Sequence, residues 1–244
     1  MRVAVIADIH GNLRALDAVL ADMAGRDVDL TVNLGDIVSG PLQPAETADR
    51  LMPLRLPTVR GNHERQLLTL ALDRLGESDH HAASQLNAAQ RQWLASFPAT
   101  ALVGDEVFLC HGTPASDLDY FLETIDASGL RIATEQDVAT RTAEAPGTLL
   151  LCGHTHLPRS TQLADGRTVL NPGSVGLQAY EARWPFPHTI QTGSPHARYA
   201  VAECTASTWK IEFIQVEYDW ETQAQIAEKN GRSEWAMALR TGRV

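Results

Sequence analysis

Apolar positions run without interruption from Val3 to Ala7 and stop at Asp8-Ile9-His10-Gly11. A short continuous apolar run of this kind predicts a strand buried on both faces, here over Arg2–Ala7. Asn12 is placed to N-cap the next segment, in which Leu13, Leu16, Leu20 and Met23 recur at spacings of three and four, predicting a helix that ends near Gly25. Asp29–Leu34 reads as a second strand. A Gly/Pro-rich loop, Gly35 to Pro44, then leads through a short helix around Glu46–Leu51 to a third strand that contains Pro57-Thr58-Val59 and ends at Gly61. Strand-helix-strand alternation implies a parallel sheet with right-handed crossovers.

Further along, Glu64–Leu75 reads as a helix, Gly76–Ser84 with His80 and His81 as a polar break, and Asn87–Ser96 as another helix closed by Pro98. The pattern then changes to period two. Thr100–Val103 and Glu106–Cys110 flank Gly104-Asp105, Ser160–Ala164 and Arg167–Leu170 flank Asp165-Gly166, and Arg198–Cys204 precedes Trp209–Tyr218; each pair predicts a hairpin. Between them, Leu118–Ala145 reads as mostly helical or irregular and Thr148–Cys152 as an apolar strand. Tyr180–Ala197, which holds Pro185, Pro187 and Pro195, reads as a loop, and Glu221–Arg240 as one terminal helix docked through Ile226, Trp235 and Leu239. With no internal repeat and no linker composition, one α/β domain over residues 1–244, built on two sheets, is the simplest account.

Composition narrows the function classes. The net charge of -10 and the lack of any basic run argue against duplex nucleic acid and anionic membranes as partners, because both need a positive footprint. No stretch has the length and apolarity of a membrane span or a signal segment, so a cytoplasmic location is expected. Cys110, Cys152 and Cys204 are odd in number and widely spaced, which disfavours a disulfide framework. Cys110 and Cys152 precede candidate histidines, but neighbouring strand residues point to opposite faces, so buried thiols are expected rather than metal ligands.

The candidate chemistry lies where apolar runs end. Asp8-Ile9-His10, Gly35-Asp36, Gly61-Asn62-His63-Glu64, His111-Gly112 and Gly153-His154-Thr155-His156 each follow a strand-like segment, and C-terminal strand ends are where α/β sheets form ligand sites. Asp8 with His10, and His154 with His156, form two pairs spaced to grip one metal each. Imidazole mixed with carboxylate suits manganese, iron, zinc, nickel or cobalt better than calcium, and no thiolate zinc site is indicated. Two divalent ions against two carboxylates would leave the site positive and able to hold a phosphate within an acidic chain. His80, His81, His188 and His196 lack such context and read as solvated loop residues.

The ordered set Asp8-x-His10, Gly35-Asp36, Gly61-Asn62-His63-Glu64, His111 and Gly153-His154-x-His156 resembles the signature of the calcineurin-like metallophosphoesterases. Chain length and Asn171-Pro172-Gly173-Ser174 are similar to the small bacterial and archaeal phosphodiesterases of that superfamily. The resemblance implies a two-sheet β-sandwich flanked by helices and a binuclear centre. It implies Asp8, His10 and His156 on a first metal, Asn62, His111 and His154 on a second, and Asp36 bridging them. Two divalent ions, manganese first and otherwise iron, zinc, nickel, cobalt or magnesium, would activate water for attack on a phosphoester. His63 would serve catalysis, donating a hydrogen bond or proton to the leaving oxygen. Glycines 11, 35, 61, 112 and 153 would allow close backbone approach.

Departures from the family pattern narrow the expectation. Gly35-Asp36-Ile37-Val38-Ser39-Gly40 lacks the arginine found there in protein serine/threonine phosphatases and symmetrical diadenosine tetraphosphatases. The expected substrate is a small phosphodiester, a nucleotide among the candidates. A monoester phosphatase or protein phosphatase using the same residues is the alternative, and a catalytically idle scaffold of the same fold is the reading from another class. Arg60 and Arg65 are candidates for the phosphate-binding cation, and Trp184-Pro185-Phe186-Pro187-His188 for a hydrophobic wall or lid; for each, a merely structural role is the plainer reading.

Overall fold

Val3, Val5 and Ala7 enter one hydrophobic core, while Ala4 and Ile6 enter another. The first strand is therefore sandwiched, as its unbroken apolar run requires. The computed structural model describes residues 1–244 except Ala143, Glu144 and Ser207. In chain order the elements are β1 (Arg2–Ile6), α1 (Leu13–Met23), β2 (Leu30–Asn33), α2 (Pro44–Leu51), α3 (Asn62–Thr69), α4 (Glu77–Gln85) and α5 (Ala88–Ala95). The next are β3 (Ala101–Val103), β4 (Val107–Leu109), β5 (Glu123–Asp126), β6 (Gly129–Ile132), α6 (Glu135–Thr142) and β7 (Leu149–Leu151). After these come β8 (Arg159–Gln162), β9 (Thr168–Asn171), β10 (Ala179–Ala182), β11 (His188–Gln191), β12 (Ala197–Thr205) and β13 (Thr208–Val216), followed by α7 (Trp220–Lys229) and α8 (Ser233–Thr241).

One sheet has the order β13-β12-β1-β2 and the other β3-β4-β7-β9-β8. Their facing sides share a core of Val3, Val5, Val32, Leu109, Leu149, Leu151, Ala200 and Trp209. On the outer side of the first sheet, Ala4 and Ile6 pack with Leu16, Val19, Met23 and Leu51 from α1 and α2. On the outer side of the second, Phe108 and Leu150 pack with Phe121, Leu122 and Val138. The result is a two-sheet sandwich flanked by helices, as expected. β1 and β2 run parallel, as do β4, β7 and β9, so the ends that carry the candidate ligands face the same edge.

Several predicted elements differ, each for a local reason. The third strand reduces to a parallel bridge between Thr58 and Asn33, because Pro57 offers no amide to a ladder. The helix after Gly61 stops at Thr69, where Leu70 and Leu72 find no core and face solvent. Gly76–Ser84 is not a break: it holds α4, whose buried face is small and polar, with Asp79, Ala82 and Ala83. Within Leu118–Ala145 lies the β5–β6 hairpin, whose turn is made by Asp126 accepting from the Ser128 amide (2.8 Å) and by Gly129 at φ 108°. Tyr180–Ala197 contains the β10–β11 hairpin, its prolines 185 and 187 confined to the tip. The terminal helix is two, broken at Asn230-Gly231, where Gly231 takes φ 78°.

Glu64 fixes how the loops meet. It starts in the first turn of α3 as expected, but it is fully buried, and its carboxylate accepts the Asp36 and Gly61 amides (2.8 and 2.9 Å) and the Ile37 amide (2.7 Å). Gly61 permits this approach: a Cβ there would overlap Asp36 Oδ1. Glu64→Gln keeps one oxygen but turns an amide toward an amide, so at least one buried N–H loses its partner. The substitution is expected to lower the unfolding free energy by about 2 kcal/mol in a denaturant titration; unchanged stability would remove Glu64 from this role.

Candidate metal centre and its pocket

Asp8 and His10 lie just past β1, Asp36 past β2, Asn62 at the start of α3, His111 past β4, and His154 and His156 past β7. Five of these seven residues, Asp8, His10, Asp36, His154 and His156, have φ between 52° and 68°. Left-handed backbone costs a non-glycine residue roughly 1–2 kcal/mol, so its concentration on one loop cluster marks a site held in place by its surroundings. Neighbouring amides supply that hold. Asp8 N donates to Gly35 O (3.0 Å), His10 N to Asp36 O (2.9 Å) and Gly153 N to His111 O (2.7 Å). The Asn171-Pro172-Gly173-Ser174 turn stitches the two sheets' loops together: Asn171 donates to Gly153 O (2.7 Å) and Ser174 to Asp8 O (2.7 Å).

Each of the four imidazoles that could hold a metal spends one ring nitrogen on a backbone carbonyl. His10 Nδ1 donates to Ser39 O, His111 Nδ1 to Leu34 O and His156 Nδ1 to Leu177 O, each at 2.7 Å, and His154 Nε2 donates to Leu118 O at 3.1 Å. A carbonyl only accepts, so the proton sits on that nitrogen and the other aims a lone pair at the site, as metal-binding histidines are usually oriented. Two groups result: Asp8, His10 and His156, and Asp36, His111 and His154, with the donor atoms of each within 4.8 Å of one another. The Asn62 amide adjoins the second group, with one terminal atom 3.1 Å from His111 Nε2, 3.3 Å from Asp36 Oδ2 and 3.0 Å from His154 Nδ1: as nitrogen it donates to all three, and turned to oxygen it would face a cation. His10 Nε2 and His156 Nε2 stand 3.1 Å apart. Lone pairs crowded this closely repel, and divalent cations fit the donor set by turning the repulsion into ligation.

The electrostatics agree. Burial, with the neighbouring imidazoles, lowers His10 to about 4 and His154 to about 3 and keeps His156 well below its ordinary value, so all three are neutral donors. Burial raises Asp8 to about 8. His111 is the exception: burial is outweighed by Asp36, whose carboxylate lies 3.1 Å from Nε2, and the group rises to about 10. The close carboxylate thus favours the charged imidazole.

His63 belongs to neither group. Its Nδ1 pairs with Asp79 at 2.8 Å, its amide donates to Asp36 Oδ1 at 3.1 Å, and its ring stands edge-on to His10 with centroids 5.5 Å apart. Burial would lower His63, but Asp36 and then Asp79 raise it to about 9. Asp79 itself is buried and also accepts from the Ser39 hydroxyl, so the ring is held from behind. Sequence reasoning misses Asp79 because nothing along the chain relates it to residue 63; its only signal is an acid in the first turn of α4.

A cavity of about 960 Å³ opens over this edge, lined by His10, Asp36, His63, His154 and His156 together with Tyr120, Tyr180 and Trp235. Arg60 and Arg65 do not line it. Arg65 instead forms a bidentate pair with Asp117 (2.6 and 2.8 Å). Cys110 and Cys152 are buried outside both groups, and burial pushes both thiols up, as expected of packed rather than ligating cysteines. His188, expected in a solvated loop, is buried and bonded to the Tyr120 hydroxyl (2.9 Å). His80 and His81 lie on α4 rather than in a loop. No helix among the described residues is long and apolar enough to cross a membrane.

Comparison with known proteins agrees with the geometry. The chain is 27% identical to the uncharacterised protein MJ0912 of Methanocaldococcus jannaschii over 96% of its own length and 94% of that protein's. It superposes on a metallophosphoesterase from Sphaerobacter thermophilus with a TM-score of 0.74 at 27% identity, covering 98% of each chain. It shares its fold with the hypothetical protein PH1004 of Pyrococcus horikoshii OT3, at a TM-score of 0.75 and 20% identity over 99% of this chain and 98% of that one. Residues 1–193 match the calcineurin-like phosphoesterase superfamily domain, and the chain belongs to that superfamily of phosphoric ester hydrolases.

Proposed function

We propose that the protein is a phosphodiesterase that holds two divalent ions and cleaves small phosphodiesters. The observation that carries this reading is the cavity: at about 960 Å³ it lies at the top of the roughly 300–1,000 Å³ range of small-molecule sites, far more than a lone phosphoryl group fills. An ester with organic groups on both sides uses that volume.

In this reading Asp8, His10 and His156 would hold one ion and His111, His154 and Asn62 the other, with Asp36 serving both. Ions in these places supply Lewis acidity toward water and the phosphoryl oxygens. Manganese is the first candidate for a set of neutral imidazoles, carboxylates and an amide oxygen. The protein's own contribution is orientation and proton supply. Carbonyls of Ser39, Leu34, Leu177 and Leu118 keep the imidazoles in one tautomer with their lone pairs inward. His63 carries a proton on a ring that lines the cavity and gives it to the departing oxygen, while Asp79, a positioning residue, fixes the ring through Nδ1.

Three outcomes are expected. Protein reconstituted with manganese should contain two ions per chain by elemental analysis, and chelation should abolish turnover and lower the thermal midpoint by about 10 °C, as loss of a tightly bound ligand does for a domain of this size; one ion or none per chain would sink the two-metal reading. His63→Ala should keep its metal and lose about 100-fold or more in kcat on diesters with an alkoxide leaving group, but much less on 4-nitrophenyl esters, whose leaving group needs no proton. Asp79→Asn should lose about tenfold with the same leaving-group dependence. Equal losses on both ester types would make Asp79 a merely structural residue.

A further inference from the structure

Beyond the ions of the proposed centre, the arginines beside Asn62 add no charge to the cavity, since neither lines it. Two arginines do line it, Arg141 and Arg183. Arg141 is committed elsewhere: its guanidinium donates to Phe121 O (2.9 Å), Glu123 O (2.8 Å) and Thr124 Oγ1 (2.7 Å). Arg183 is exposed and has no side-chain partner among the described residues. Beside it, Trp184 is 82% exposed, the most exposed large apolar side chain among the described residues, and it too lines the cavity, as does Pro185.

These three residues lie in the turn of the β10–β11 hairpin, which belongs to neither large sheet. The base of the hairpin is tied to the metal centre. The Tyr180 hydroxyl donates to His154 O (3.1 Å) and pairs with the Tyr120 hydroxyl (3.0 Å), which also bonds His188 Nε2 (2.9 Å). Tyr180 stands edge-on to His156 with centroids 4.8 Å apart. An anchored base thus carries a tip whose cation and indole have no intramolecular use.

We infer that this tip is the substrate-recognition element of the site, with Trp184 stacking on a heteroaromatic base and Arg183 pairing with the ester's phosphate, so that the substrate class is a nucleoside-containing phosphodiester. The inference rests on the phosphodiesterase reading and adds its specificity. A flat ring suits an exposed indole, and aromatic faces accept any base. Guanidinium matches phosphate geometry. In the lining, the Ser116 and Thr124 hydroxyls accept from protein donors but give their own protons to no group among the described residues, so each can donate to a sugar or base.

The test uses two diesters with the same chromogenic leaving group, thymidine 5′-(4-nitrophenyl) phosphate and methyl 4-nitrophenyl phosphate. The full-length enzyme with manganese should prefer the nucleoside ester by about tenfold in kcat/KM, the size expected of one stacked base. Trp184→Ala should bring the ratio of the two kcat/KM values toward one. Phe186→Ala, a change on the same hairpin outside the cavity lining, should leave it intact. Arg183→Gln should raise KM for both esters about fivefold, with the loss shrinking as salt rises. Intrinsic tryptophan fluorescence should be quenched by thymidine 5′-monophosphate in the wild type and clearly less in Trp184→Phe, where Trp235 is the tryptophan left in the lining. Equal efficiency on both esters, or an unchanged ratio in Trp184→Ala, overturns the inference alone. Failure to cleave either ester overturns the phosphodiesterase reading and this inference with it.

Discussion

Lone pairs crowded together in a buried place set the terms for the rest of this molecule. His10 and His156 bring two ring nitrogens to 3.1 Å, and Asn62, Asp36, His111 and His154 bring an amide, a carboxylate and two more nitrogens to similar distances. In water each would be solvated; here the groups are mostly excluded from it and would repel one another. A proton or a cation between them relieves the crowding, as does the Asn62 amide when it turns its nitrogen toward His111, Asp36 and His154. A divalent ion answers it better, because one charge centre satisfies several donors at once.

Such an arrangement persists only if the scaffold overdetermines it. Left-handed backbone at five of the seven donors would relax if the loops were free. They are pinned three times over: by the extended ladder between the loops after β1 and β2, by the buried Glu64 carboxylate across Asp36, Ile37 and Gly61, and by the Asn171–Ser174 turn across the two sheets. The sandwich makes this possible, since its facing core brings two sets of parallel strand ends to one edge. Strain at the centre is offset by burial in the sheets behind it.

That logic explains which parts are legible in the sequence. β1, α1, the hairpins β3–β4, β8–β9 and β12–β13, and all seven candidate donors can be read because a buried run or a glycine-bearing turn fixes each of them locally. Asp79 and the reach of Glu64 cannot, because each acts through space on residues 16 to 28 positions away. The third strand is overpredicted since Pro57 breaks the ladder that Thr58 and Val59 invite. α4 is underpredicted since its buried face is two alanines and an acid, a pattern without apolar period.

The two hairpins whose sequences look irregular, β5–β6 and β10–β11, share a position as well as that disguise. Both lie outside the large sheets, and both contribute to the cavity wall, through Glu123, Thr124 and Ile125 from the first and Ala182, Arg183, Trp184 and Pro185 from the second. Their buried positions mix polar with apolar side chains, Glu123 and His188 beside Ala179 and Ile190, so no apolar alternation betrays them in the sequence. The metal-binding edge has little freedom to vary, because changing one donor leaves the others repelling. The candidate donors are therefore held by the sandwich, while the rest of the cavity wall is drawn from two hairpins outside both large sheets.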